Sequence, residues 1–359
     1  MRSLQIRQFR CFEQFTIAVT SPLLLIEGNN GSGKTSLLEA VHYLCYLKSF
    51  RTHLPRELLR HGTEASFVSA TFIAGELNLE HQISAGAAGL ERSAKLDGTP
   101  VKHHREIIDH FRVITLTEDD LWLIKSGPEA RRAFIDQYVF LHNPDFLTIA
   151  RRLRQTVQQR NAALQQPLLH AAMMDVWTHQ LWELSTQVGQ ARTALLQQLV
   201  IDVNALFAQY FAPDAKEEPL RIAIQYQPKR WVMDFEQFIQ QSSQLLLDEQ
   251  RLGRSLFGAH LDDFSIIFCD QNSRSFASRG QQKLVVLLLK IAQLQHLITS
   301  RGASIFLLDD FMTDFDEQKV SQLLPLLLSL QGQLIFTTPL TQSILKERLI
   351  ANGAQIIRM

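Results

Sequence analysis

Residues 23–35 read Leu23-Leu24-Leu25-Ile26-Glu27-Gly28-Asn29-Asn30-Gly31-Ser32-Gly33-Lys34-Thr35. The four apolar residues at the start are the unbroken run of a strand buried on both faces. A glycine-rich turn follows, and the pattern beyond it predicts a helix from about Gly33 to Leu47. From Gly28 to Thr35 the turn fits GxxxxGK[ST] in full, with Asn29, Asn30, Gly31 and Ser32 between the fixed positions. Glycines let backbone N–H groups curl around a polyphosphate. The lysine gives a point charge for its β and γ phosphates, and the threonine hydroxyl can ligate Mg²⁺. The positive end of the following helix adds to the attraction. A glycine-rich turn that matches by accident lacks this strand before and helix after it. The stretch therefore predicts an α/β fold with a nucleotide site.

Outward from this loop, residues 4–26 predict two short strands. Residues 65–101 predict β-hairpins, with period-2 alternation through Phe67, Ser69, Thr71 and Ile73 and a turn at Asp97-Gly98. The middle is helical. Phe146, Ile149, Leu153 and Val157 recur at spacings of three and four. So do Leu181, Leu184, Val188, Ala191, Leu195, Leu199, Val203, Leu206 and Tyr210. A break at Pro213 and Pro219 precedes a strand at 221–226 and a helix at 234–252. The α/β pattern then returns with a strand at Phe264–Phe268, a helix at 279–298, a strand at Ser304–Leu308, a helix at 316–331 and a strand at Gln333–Thr337. The expected division is an N-terminal head part over 1–125, a helical arm over 126–252 and a C-terminal head part over 253–359.

Ile305-Phe306-Leu307-Leu308-Asp309-Asp310 is an apolar strand ending in two carboxylates. With a phosphate loop in the same chain, Asp309 is placed to hold Mg²⁺ and Asp310 to orient or deprotonate an attacking water. Taken alone, two acids at a strand end simply face solvent. Ser278-Arg279-Gly280-Gln281 also has a purely structural reading, since Ser and Gln three apart form a capping box. The same helix start could offer Ser278, Gly280 and Gln281 to a γ-phosphate. The order of phosphate loop, long insert, Ser-x-Gly-Gln helix start and Asp-Asp strand resembles ABC-type ATPase heads, in which this signature completes the site of the opposite subunit. Thr313-Asp314-Phe315-Asp316 stands where those heads carry a D-loop, and the strand through Thr337 and Thr338 where the switch strand ends.

Composition narrows the class. The chain has 359 residues, 46% hydrophobic and 20% charged, so a mainly disordered or collagen-like chain is excluded. At roughly 150 residues per domain the length suggests about two domains, or one with a large insertion. Cys11, Cys45 and Cys269 are far apart and odd in number, against a disulfide framework or a cysteine zinc site. The first residues show no apolar signal region. The greasiest stretch, Leu284 to Leu294, is interrupted by Lys290 and too short to span a bilayer. A soluble, cytoplasmic protein is expected, with no membrane partner. Lys+Arg and Asp+Glu are 36 each, so the whole molecule carries no excess positive field.

Further segments carry a family resemblance. They are Leu38-Glu39-Ala40-Val41, Lys48-Ser49-Phe50-Arg51, Thr117-Glu118-Asp119-Asp120-Leu121, Gly127-Pro128, Arg131-Arg132-Ala133-Phe134-Ile135-Asp136, Gln159-Arg160-Asn161-Ala162-Ala163-Leu164, Gly258-Ala259-His260-Leu261-Asp262-Asp263 and the Ser278 tetrapeptide. Together with the loop they resemble the RecF family, bacterial recombination-mediator ATPases related to the SMC heads. The chain departs from that pattern at Ala259 and Leu261, where the family usually has proline and arginine, and at Thr313–Asp316. The resemblance implies an ABC-type ATPase head, a mixed sheet with an antiparallel β subdomain, interrupted by a helical arm. It implies ATP and Mg²⁺ as cofactors, an ATP-dependent homodimer and slow hydrolysis. It implies binding of single-stranded and double-stranded DNA at gaps, and a pathway shared with RecR, RecO and RecA. A non-DNA ABC-type ATPase, such as a soluble subunit of a transporter, is the competing class. A regulatory nucleotide-binding module with little turnover is a third.

For DNA contact, Arg151, Arg152, Arg154 and Arg160 fall in one acid-free stretch, with Arg131 and Arg132 shortly before. Arg151, Arg152 and Arg154 are the candidate phosphate contacts, against the plainer reading of a solvated face paired with acids elsewhere. His260 beside Asp262 and Asp263 lacks a second histidine at ligand spacing and reads as a polar turn. His103 and His104 likewise lack a partner set. Trp122, Trp177, Trp182 and Trp231 read as packing residues.

Overall fold

The computed structural model describes residues 1–74, 79–89, 91–166, 171–211, 221–242, 244–302, 304–340 and 343–359. Pro213 and Pro219 lie outside them. The chain forms two compact units, Met1–Leu121 with Leu287–Met359, and Trp122–Val286. The second crossing falls inside the helix Arg279–Arg301, so the strand Asp263–Phe268 and the Ser278 helix start group by packing with the helical unit.

The first unit holds two sheets. Five strands run parallel in the order Gln355–Arg358, Leu23–Glu27, Gln333–Thr338, Ile305–Leu308, Val113–Leu116. Every residue of Leu23–Glu27, Val113–Leu116 and Ile305–Leu308 is buried, which is why Leu23–Ile26 and Ile305–Leu308 read as unbroken apolar runs; Val113–Leu116, interrupted by Thr115, was not foreseen. The second sheet is antiparallel and includes Ser3–Phe9, Phe12–Ala18, Ala65–Ala74, Leu79–Ala88 and Glu91–Leu96. Residues 4–26 thus hold three strands rather than two, because the tight turn at Arg10 (φ 53°) folds the first segment into a hairpin. In Ala65–Ala74 the core face is Val68, Ala70 and Phe72, and Phe67 of the complementary set is 39% exposed. Asp97 and Gly98 both take positive φ, 49° and 78°, as a two-residue hairpin turn requires.

The helix Lys34–Tyr46 lies between these two sheets, and every residue of it but Thr35 is buried. Tyr46 Oη donates to Val113 O of the parallel sheet (2.6 Å), and Tyr43 Oη to Gly86 O of the antiparallel one (3.3 Å). His42 Nδ1 lies 2.7 Å from Thr115 Oγ1, and burial pushes its pKa down to about 3. The apolar stretch around Leu284 is part of the helix Arg279–Arg301, long and apolar enough to cross a membrane by length and composition. Its apolar window is 72% buried inside the protein, as in a core helix. Lys290, the interruption in that stretch, is buried and matched: its Nζ lies 2.8 Å from Asp120 Oδ1 and donates to Thr115 O.

In the second unit the helices Pro128–His142 and Phe146–Leu164 pack on the 40-residue helix Ala171–Tyr210. The strands Gln271–Asn272, Asp263–Phe268 and Ile222–Gln227 form a small antiparallel sheet. The expected helix at 234–252 is two, Phe235–Gln241 and Leu245–Leu252. The apolar stripe of the long helix shifts phase at its centre: Arg192 and Leu196 are buried where Ala191 and Leu195 were expected. Arg192 is held there by a bidentate pair with Asp136 at 2.7 and 3.0 Å. Two segments far apart in sequence meet in this unit. Arg131 pairs bidentately with Asp263 (2.6 and 2.9 Å), and Arg132 donates to Asp262 O (2.7 Å). Asp262 is fully buried and accepts from Trp231 Nε1 and Lys229 N.

Candidate active site

The phosphate loop lies between the strand Leu23–Glu27 and the helix Lys34–Tyr46. Its glycines answer to space and to dihedral. A Cβ on Gly28 would come within 2.5 Å of Ser32 Oγ, and one on Gly33 within 2.8 Å of Cys11 Sγ, at φ +107°. Behind the loop Glu27 is buried and tied by Lys346 Nζ (2.6 Å) and Arg358 Nε (2.8 Å), which hold its carboxyl below the usual range despite burial. Lys34 is 4% exposed, and its Nζ donates to Gly28 O (3.0 Å) and Asn29 O (3.2 Å) of its own loop. The ammonium is thus folded into the curl of the loop, 4.0 Å from Asp310 Oδ2.

The acidic strand end meets this loop directly. Thr35 Oγ1 donates to Asp309 Oδ1 at 3.0 Å across 274 positions of sequence. Thr337, at the carboxyl end of the neighbouring parallel strand, donates to the same oxygen at 2.9 Å and accepts from Asp310 N at 2.7 Å. Burial is the largest influence on Asp309 and raises its pKa; the two threonine hydroxyls pull it back and Asp310 adds to the rise. Asp310 sits at φ 48°, a left-handed conformation uncommon for a non-glycine residue. It begins the tight turn Phe311–Asp314, and Asp316 then caps the helix Glu317–Leu328 through Lys319 N (2.8 Å).

The site was thus legible in Lys34, Thr35, Asp309 and Asp310, which the fold brings together. Thr337 was expected only at the end of the switch strand, not as a hydrogen-bond partner of Asp309 and Asp310; its position at a carboxyl end of the parallel sheet beside the loop was the available signal. A second omission is Glu39. It is wholly buried one turn into the helix and is gripped by Arg10 (2.7 and 2.6 Å), by Ser49 and by Arg51 (3.6 Å). This grip joins the motif around Glu39 to the Lys48–Arg51 segment.

The donor set suits a nucleotide with Mg²⁺. Mg²⁺ is usually held by one or two carboxylates with phosphates and waters. Thr35 Oγ1 and Asp309 Oδ1 offer one hydroxyl and one carboxylate already in contact. Ser32 Oγ is buried in the loop without a hydrogen-bond partner, and the space beside Gly28 and Gly33 admits no Cβ.

In the second unit Ser278 and Gln281 form the reciprocal cap: Gln281 N donates to Ser278 Oγ (3.3 Å), and Ser278 N to Gln281 Oε1 (2.8 Å). Ser278 and Gln281 are exposed and Gly280 is half-buried. Arg151, Arg152 and Arg154 are exposed on the helix Phe146–Leu164, with no ion pair among the described residues. Arg160 of the same stretch is not surface charge. It is 1% exposed and bidentate to Glu249 at 2.9 and 2.6 Å. Arg131 and Arg132 likewise serve the fold through Asp263 and Asp262. Trp122 is 57% exposed and Trp231 buried, so the packing reading fails for the first and holds for the second. His103 caps a short helix.

The family model described as the RecF/RecN/SMC N terminal domain matches residues 1–352. The chain is 31% identical to a protein of Anaeromyxobacter sp. (strain Fw109-5) named DNA replication and repair protein RecF, covering 94% of this chain and 91% of that one. It is 30% identical to the protein of the same name from Synechococcus sp. (strain JA-3-3Ab), over 100% and 96% of the two chains. A solved structure titled as the recombination mediator protein RecF-ATP in the RecFOR pathway superposes with a TM-score of 0.84 at 22% identity, covering 96% of this chain and 92% of that one. An Smc head bound to the C-winged helix domain of ScpA shares the fold with a TM-score of 0.57 at 15% identity, covering 99% and 93%. A parallel sheet with the phosphate loop and acidic strand end in contact, and a match along nearly the whole length, place this chain in the RecF family of SMC-like ABC ATPases.

Proposed function

We propose that the protein is an ATP-dependent DNA-binding recombination mediator that works as an ATP-induced dimer with slow hydrolysis. The observation that carries the reading is the 3.0 Å contact of Thr35 with Asp309, which unites loop and acidic strand end in one site. Lys34 and the loop N–H groups bind the β and γ phosphates of ATP. Thr35 and Asp309 would hold Mg²⁺, which neutralises charge on the phosphate oxygens. Asp310 orients the attacking water and accepts its proton. Ser278, Gly280 and Gln281 of a second copy complete the site, and residues 253–286 serve the head in function. Arg151, Arg152 and Arg154 offer charge to DNA phosphates without reading sequence. RecR, RecO and RecA are the expected partners, in the cytoplasm.

The test is a DNA-binding titration with and without ATP over several salt concentrations. Binding is expected to be weak and salt-sensitive without ATP and stronger with it. No binding at low salt in either condition overturns the reading. Lys34→Met should abolish ATP binding. Asp310→Asn should bind ATP and accumulate dimer in sedimentation, and normal turnover by that variant would show that the role given to Asp310 is wrong.

A further inference from the structure

The second unit contains a cavity of about 510 Å³. Lys229, Arg230, Arg251 and Arg254 line it, opposed by Asp248 alone among the acids of its wall. All four cations are exposed, and none makes an ion pair or side-chain hydrogen bond among the described residues. This is not a region short of acids. Directly below, Glu249 is spent on buried Arg160, and Asp262 on Trp231 and on the backbone N–H of Lys229. The buried charges here are matched, while the four cations of the cavity wall are exposed.

The floor is firm. Asn161 Oδ1 accepts from both Ser255 N (2.7 Å) and Ser255 Oγ (2.8 Å), and Ser255 also accepts from Arg160. On the same wall His260 has its Nδ1 buried without a hydrogen-bond partner. Burial and the nearby Arg132, Arg160 and Arg192 push this imidazole down to about 4, so at neutral pH it is an uncharged donor or acceptor. A concave site with unpaired cations focuses positive potential, and three of them are guanidinium forks that fit a phosphate. No Phe, Tyr or Trp ring lines the cavity, so its recognition rests on charge and hydrogen bonding. Outside it, Arg154, Gln158 and Asn161 follow one face of the helix Phe146–Leu164 at spacings of four and three. Arg154 therefore stands about 10 Å from the cavity wall along that face.

We propose that this cavity is a phosphate-binding site, with Arg251 and Arg254 as its principal contacts, holding a backbone or terminal phosphate of a nucleic-acid strand while Arg154 takes a further phosphate. The strand as source rests on the DNA-binding reading above; the phosphate chemistry rests on the cavity alone.

The test compares wild type with Arg251→Gln/Arg254→Gln in strand-binding titrations across salt, with melting and DNA-free ATP turnover as controls that should not change. Losing two phosphate contacts should make the slope of log affinity against log salt shallower by about 1.4 on a single strand. Asp248→Asn should act in the opposite sense, with tighter binding. A second arm titrates tripolyphosphate into Lys34→Met protein, with and without the arginine replacements, so that the phosphate loop does not contribute. If strand binding and slope are the same in wild type and double variant, the cavity proposal is overturned and DNA binding stands. Tripolyphosphate binding that depends on the two arginines, with no strand bound, keeps the site, makes a free phosphate compound its ligand and removes the DNA reading. If neither probe binds, both readings fall. Equal displacement of the strand by polyglutamate of the same charge would mark an unspecific basic surface and also overturn the site.

Discussion

Asp309 carries two demands that pull against each other. The Mg²⁺-holding role proposed for it wants a carboxylate, while burial and then the neighbouring Asp310 favour a neutral acid, so its pKa is raised. The sign of the pH effect follows. A raised folded-state pKa means that the contribution of Asp309 to stability is fully present below the ordinary carboxylate range and is lost as pH rises through the raised value. Asp309→Asn should therefore raise the melting temperature of the nucleotide-free protein near neutral pH and change it little in acid. The same variant should lose the Mg²⁺-dependent part of the stabilisation by ATP. Melts at about pH 4 and about pH 8 check both. At this scale the sequence was a good guide to position where a motif fixes it, since Lys34, Thr35, Asp309 and Asp310 do meet. It missed the contacts of Thr337, one hydroxyl among many until a parallel strand sets it against Asp309. It failed also for Arg160, because a local window of charge does not contain Glu249, 89 positions away.

Among elements, the long helix Ala171–Tyr210 shows what periodicity reveals and what it hides. Its existence was legible from apolar spacing, but not the phase shift around Arg192, which depends on Asp136 of another helix. Gly189 lies just before that shift. A Cβ there would meet the Trp231 ring at 2.4 Å, and the ring is pinned because its Nε1 donates to buried Asp262 at 2.8 Å. Alanine would gain about 1 kcal/mol of helix propensity and incur about 1–3 kcal/mol of overpacking. Gly189→Ala is thus expected to destabilise by up to about 2 kcal/mol, with Gly189→Ala/Trp231→Phe less affected by the clash; urea denaturation measures both. The alternation in Ala65–Ala74 was also visible, yet its inward face was not. Small and mixed side chains occupy both sets, and the burial of Val68, Ala70 and Phe72 is decided by what packs on that face.

Over the whole molecule, a balance of 36 basic and 36 acidic residues says only that the total charge is zero. The distribution is what matters: some pairs, such as buried Glu249 with Arg160 and half-buried Asp263 with Arg131, neutralise each other within the fold, while Arg151, Arg152 and Arg154 and the cavity cations are exposed. The expected assembly is a dimer that ATP brings about, and the helix start at Ser278 has a bearing on it. In the reciprocal cap the Ser278 oxygen receives the Gln281 N–H. One of its two lone pairs is committed inward, and the hydroxyl proton stays available to an outside acceptor. Together with the N–H groups of the first turn, this makes the end of the helix chiefly a giver of hydrogen bonds, which favours anions on whatever surface approaches. Aspartate caps a helix about as well as serine but has no proton to offer. Ser278→Asp should keep the melting temperature and the affinity of the monomer for ATP, yet abolish the ATP-dependent shift in sedimentation. A variant that still dimerised would show that this serine is a helix cap and nothing more.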